Sequence, residues 1–159
     1  MSHDDIVLEK IVSTLKKVRL EAIIIGNVAS VLQGVPVMTQ DIDLFIRDTE
    51  LNRRKIRLFA EALGLALYKR DEAISEVITA EDEEKIVDFI FRLSSEQSFE
   101  SVRSRAKKMK IGKYYCLVAD LEDILNSKKI TNRPKDRAVI KLIEDTLKVR
   151  NYLKRKGKG

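Results

Sequence analysis

Ile25-Gly26-Asn27-Val28-Ala29, continuing through Gly34-Val35-Pro36 to Thr39-Gln40-Asp41-Ile42-Asp43-Leu44, decides the fold. The apolar, β-branched run Ala22-Ile23-Ile24-Ile25 reads as a short buried strand that stops at Gly26. Val28 to Gln33 makes a short helix, closed by Gly34 and Pro36. Asp41-Ile42-Asp43-Leu44-Phe45-Ile46 is the next strand. Strand side chains alternate faces, so Asp41 and Asp43 share one, with Cα atoms roughly 6.5–7 Å apart. Ile42 and Leu44 face the core. Two carboxylates side by side repel, and near a core they are costly unless a cation lies between them. Mg²⁺, about 2 Å from each oxygen, relieves that cost.

A third acid, Asp88, stands inside another apolar strand, Ile86-Val87-Asp88-Phe89-Ile90-Phe91. A lone aspartate there needs a partner or solvent. Adjacent strands that gather all three acids around two metals ~3.5–4 Å apart satisfy them together. The alternative places Asp88 on the solvent face of a half-exposed strand. Gly26 lets backbone approach a phosphate, and the short helix after it can aim N–H groups there.

Outward from this centre, Leu8, Ile11, Val12, Leu15 and Val18 predict an amphipathic helix over 4–18, capped by Ser2. Ile56, Phe59, Ala60 and Leu63 predict another over 50–63, ending at Gly64. Strands are expected at 74–80 and 85–91. A polar, basic helix over 96–108 follows, then a strand or hairpin over 111–119. Asp120 caps a helix through Lys129, and Pro134 starts the last helix. Its stripe is Val139, Leu142, Ile143, Leu147 and Leu153, and the residues from Lys154 onward are expected to fray. The whole is one mixed α/β domain: a core over 1–119 and a helical C-terminal extension, 120–159, packed on it.

These elements resemble the minimal nucleotidyltransferases: strand, Gly-Gly or Gly-Ser, short helix, Asp-x-Asp, then a third acid on a later strand. Leu121-Glu122-Asp123-Ile124-Leu125-Asn126-Ser127-Lys128 followed by Asn132-Arg133-Pro134-Lys135-Asp136 is similar to the branch that includes abortive-infection-type toxins. The resemblance implies a nucleotidyltransferase fold, with a mixed sheet flanked by helices. It implies Asp41, Asp43 and Asp88 as catalytic metal ligands for two Mg²⁺. It implies Gly26, Asn27, Lys128 and Asp136 as nucleotide-binding residues. The implied reaction moves a nucleotide from a nucleoside triphosphate such as ATP to a hydroxyl on RNA, protein or a small molecule, releasing pyrophosphate. Lys128 and Asp136 can equally form an ion pair between two helices.

Asn27 stands where the family has its second glycine or serine, Gln33 where a histidine is common, and Val37-Met38 where an arginine is common. A lost arginine removes a bidentate phosphate contact. These departures support a second expectation, a catalytically weakened nucleotidyltransferase-fold binding protein within a toxin–antitoxin pair; a partner protein or a homo-oligomer is expected under either reading.

Composition bounds the partners. Residues 1–100 hold 13 Lys/Arg and 19 Asp/Glu, whereas 101–159 hold 18 and 6, within an overall charge of +6. An acidic half followed by a basic half suits a metal site beside an anionic substrate, or a solvated ion-paired surface. Lys107-Lys108-Met109-Lys110 and Tyr114-Tyr115 suggest RNA contact, or else a solvated face with one tyrosine inward. No apolar run approaches a membrane span, and the acidic Asp4-Asp5 opposes an export signal. A single cysteine, Cys116, fits a reducing cytoplasm and reads as a small buried hydrophobe. His3, the only histidine, lies in a helix cap, so histidine-dependent hydrolysis has no support. No Gly-rich P-loop is present.

Overall fold

The computed structural model describes residues 2–72 and 75–157. Thirteen elements run in the order α1 (His3–Lys17), β1 (Ile23–Ile25), α2 (Gly26–Leu32), β2 (Asp41–Phe45), α3 (Glu50–Leu63), β3 (Ala66–Asp71), β4 (Glu76–Glu81), β5 (Ile86–Ile90), α4 (Phe99–Arg105), β6 (Lys107–Ile111), β7 (Tyr114–Val118), α5 (Leu121–Thr131) and α6 (Pro134–Gly157).

The strands form one seven-stranded mixed sheet, ordered β3-β4-β5-β2-β1-β7-β6. β2 and β5 pair in parallel, β1 and β2 antiparallel, and β1 and β7 in parallel. Ile42, Leu44, Val87 and Phe89 therefore share one face, and all are buried. α3 covers that face, with Phe59 edge-on to Phe89 at 5.3 Å. α1 packs beside α3, burying Leu8, Ile11, Val12 and Leu15. The Ser2 hydroxyl accepts from the Asp5 N–H, and the Ser2 N–H donates back to the Asp5 carboxylate, so the cap forms as the sequence suggests.

The opposite face carries Asp41, Asp43 and Phe45. α4 closes part of it through Phe99, 5.5 Å from Phe45. α2 and α5 start where the parallel strands β1 and β7 end, so both sit at the same end of those strands, and α6 packs on α5. Among the described residues no helix is long and apolar enough to cross a membrane.

Four expectations change. β3 occupies 66–71, where no strand is expected, because every residue in it is exposed and leaves no hydrophobic alternation to read. The basic helix over 96–108 stops at Arg105, and Lys107-Lys108-Met109-Lys110 forms β6 instead. Gly112, at φ +61°, makes the tight turn that returns the chain into β7, and any Cβ there would strike the Glu9 carboxylate. Both Tyr114 and Tyr115 are exposed, since Cys116 and Val118 supply the buried positions of β7. α6 runs on through Gly157 rather than fraying at Lys154, although its Leu153 is exposed. Residue 74, the expected start of a strand, and the last two residues of the basic tail lie outside the described residues.

Candidate active site

Register builds the site. Asp43 pairs with Asp88 across β2 and β5, and with Ile25 across β1 and β2. The row continues through Thr79 on β4 to Tyr68 on β3. Asp41, Asp43 and Asp88 all line one cavity of about 660 Å³, together with Gly26 and Lys128. The sheet supplies its acidic floor, and α5, the short link after it and the start of α6 supply a basic wall of Lys128, Arg133 and Lys135. The acidic and basic halves of the chain thus meet at this cavity.

Asp43 is the central group. Its carboxylate makes no hydrogen bond or ion pair within the described residues, and its Oδ2 lies against Gly26, where an added Cβ would stand 2.5 Å away. Gly26 itself has φ +69°, which side chains rarely adopt. Burial pushes the Asp43 carboxyl up from 3.8 to about 6, and the neighbouring Asp88 and Asp41 push in the same direction, with Lys128 and Arg70 partly offsetting them. Asp41, at the start of the strand, is exposed.

Asp88 is buried, at 8% exposure, which removes the solvent-face alternative. Its Oδ1 accepts from the Thr79 hydroxyl at 2.6 Å and lies 3.1 Å from Arg70 Nη2. Arg70 Nε also donates to Thr79 Oγ1 at 3.1 Å, and its Nη1 to Glu72 at 3.0 Å. Arg70 and Thr79 are the groups that sequence reasoning misses. Their signal is weak: Leu67-Tyr68, two strand-forming residues, in a connection too long to be a simple turn.

Lys128, on α5, keeps 13% of its side chain exposed, and burial lowers its pKa. Its Nζ stands 3.9 Å from Asp136 Oδ1, so the interhelix ion pair forms. Asp136 does not line the cavity. Burial pulls its carboxyl upward, but donation from the Arg133 side chain and N–H and from Thr131 outweighs this and holds it below the usual range. Asp136 therefore braces Lys128 and Arg133 from behind. Asn27 also lies off the cavity lining, with its Oδ1 buried and without a partner in the described residues. Gln33 serves the fold rather than the cavity. Its Nε2 donates to Ala29 O at 3.0 Å and Ala119 O at 2.8 Å, tying the end of α2 to the start of α5.

The donor set suits a hard divalent cation: oxygen ligands only, two acids on one strand and a third on its register partner. Among the described residues, however, no group of three or more acidic, imidazole or thiol side chains is arranged to hold a metal ion as it stands. Asp88 is held by Arg70 and Thr79, and Asp41 reaches toward solvent.

The sheet order, with an Asp-x-Asp strand flanked by the third acid and the Gly-turn strand, defines a nucleotidyltransferase fold, and solved structures agree. The crystal structure of ANT(2″)-Ia in complex with adenylyl-2″-tobramycin is similar over 98% of this chain and 99% of that chain, at 16% identity and a TM-score of 0.64. The solution structure of the antibiotic-resistance factor ANT(2″)-Ia matches at 15% identity and 0.63, covering 98% and 92% of the two chains. TM1012 from Thermotoga maritima, assigned as a candidate nucleotidyltransferase, matches at 18% identity and 0.65, covering 98% and 96%. No protein-family profile and no curated protein matches the sequence.

Proposed function

We propose that this protein transfers a nucleotide from a nucleoside triphosphate to a hydroxyl acceptor, with divalent cations held by Asp41, Asp43 and Asp88. The observation that carries this reading is the gathering of those acids in one cavity opposite Lys128. The unpartnered Asp43 carboxylate pressed onto Gly26 adds support, because an ionised acid so placed needs a cation. Two bound Mg²⁺ ions would neutralise the polyphosphate and favour displacement at the α-phosphorus. Lys128 and Arg133 would hold the leaving pyrophosphate from the wall side. Asp88 would receive the proton of the acceptor hydroxyl as its oxygen bonds to the α-phosphorus. The bond from that phosphorus to the β-phosphate bridge breaks, and pyrophosphate departs. A small-molecule acceptor is supported by the adenylyl-2″-tobramycin in the ANT(2″)-Ia complex.

The engagement of Asp88 by Arg70 favours one competing reading, a fold kept for binding in a toxin–antitoxin pair. One experiment separates them. The protein is incubated with each labelled triphosphate, Mg²⁺, and RNA, protein extract or a panel of hydroxylated small molecules. Transfer of label that disappears in Asp43→Ala supports catalysis. No Mg²⁺-dependent binding of any nucleotide defeats it.

A further inference from the structure

Asp88 is a buried carboxylate on the cavity floor, and its counter-charge comes from a residue on the sheet's edge strand. Arg70 Nη2 lies 3.1 Å from Asp88 Oδ1, and Thr79 bridges the same two groups, accepting from Arg70 Nε and donating to Asp88 Oδ1. Thr79 is fully buried, while Arg70 keeps 41% of its side chain exposed. The anchor is thus rigid and the cation movable. A guanidinium on Asp88 Oδ1 denies that oxygen to a divalent ion, and its charge weakens an ion held by Oδ2, because like charges repel strongly in a partly buried site. Arg70 also lines the cavity, as do Lys128, Arg133 and Lys135.

We propose that Arg70 is the resident counter-ion of Asp88 in the empty site. It leaves Asp88 when a cation takes Oδ1, and it then pairs with the bound polyphosphate. This rests on the transferase reading above and adds an order to it. The third acid becomes available only when a triphosphate offers Arg70 a better partner, since planar bidentate pairing favours phosphate. The site therefore does not load metal idly.

Mn²⁺ binding, followed by its EPR signal and by calorimetry, tests this without turnover. In the absence of nucleotide, Arg70→Met is expected to bind Mn²⁺ at least about tenfold more tightly than wild type. Thr79→Val, which keeps the side-chain shape but removes the bridging hydroxyl, is expected to fall between them. A non-hydrolysable triphosphate should raise Mn²⁺ affinity in wild type, and Arg70→Met should bind that triphosphate about tenfold more weakly. A damaged fold cannot imitate the gain of Mn²⁺ binding, and that gain shows that weaker triphosphate binding by the same variant is not misfolding. If Arg70→Met and Thr79→Val bind Mn²⁺ no better than wild type while wild type still loads it with triphosphate, the counter-ion role is overturned and the transferase reading stands. If Arg70→Met gains Mn²⁺ affinity but holds triphosphate as wild type does, the hand-over to phosphate is overturned. If wild type takes up no Mn²⁺ even with triphosphate, the transferase reading itself fails.

Discussion

Asp43 and Asp88 are register partners on the parallel strands β2 and β5, so two like-charged side chains stand next to each other on one face of the sheet. The fold tolerates this at a cost. How that cost is distributed decides what substitutions around the cavity do.

Asp43 holds its proton more tightly in the folded chain, at about 6, than at its ordinary 3.8. Between these values the folded state binds more protons than the unfolded one, so stability falls as pH rises through the window and stays lower above it. Asp43→Asn removes the charge and keeps the shape. It should stabilise the protein at pH 8 by about 1–3 kcal/mol, and the two chains should converge near pH 4. Urea denaturation at both pH values checks this, and equal stability at pH 8 would contradict it. The same variant should lose nucleotide transfer.

Gly26→Ala should lower stability by about 2–3 kcal/mol, through positive φ and through the collision with Asp43 Oδ2. Combining it with Asp43→Ala should recover part of the loss, since the collision goes and the backbone strain stays. A double-mutant cycle with a coupling above about 0.5 kcal/mol is expected. Strict additivity would mean the two groups do not touch.

Lys128 and Asp136 should separate by assay. Asp136→Ala leaves Arg133 and Lys128 without their shared acid and should cost about 3–5 kcal/mol in a thermal or urea melt. Lys128→Met swaps a mostly buried cation for an apolar chain of similar length and should change stability by under about 1 kcal/mol. It should weaken triphosphate binding about tenfold or more. A large stability loss in Lys128→Met with unchanged nucleotide affinity would make the lysine purely structural.

Cys116 is buried, and burial pushes its thiol up to about 11. It should resist a thiol-directed disulfide reagent in the folded chain and react promptly in urea. Fast labelling without denaturant would show that β7 opens easily.

The floor of the site was legible in the sequence because its signals are local. Asp-x-Asp alternation, the glycine that ends an apolar strand and an acid inside a hydrophobic run each need only a few neighbouring residues to read. α1, α3 and β5 announce themselves by periodicity and land within a residue or two of expectation. Arg70 and Thr79 were not legible, because their role depends on strand register. β3 is exposed on all its residues, and its pairing with β4 is what carries Arg70 to Asp88. The β6–β7 hairpin hid for a related reason: three lysines and a methionine resemble a solvated helix until Gly112 turns them into a strand. Lys128 and Asp136 were named as a pair, but which of them faces the cavity is settled only by how α6 lies on α5.

The cavity's floor comes from β2 and β5, and its wall from α5 and the start of α6, which follow them in the chain. During synthesis the acids emerge from the ribosome well before the lysine and arginine that oppose them. A chain cut before α5 would keep the three acids and Arg70 but lack Lys128, Arg133 and Lys135, and should hold triphosphate more weakly. Nucleotide capture thus depends on α5 and α6 being seated, and losing them should both silence the site and uncover the core against which Leu121, Ile124 and Leu125 pack.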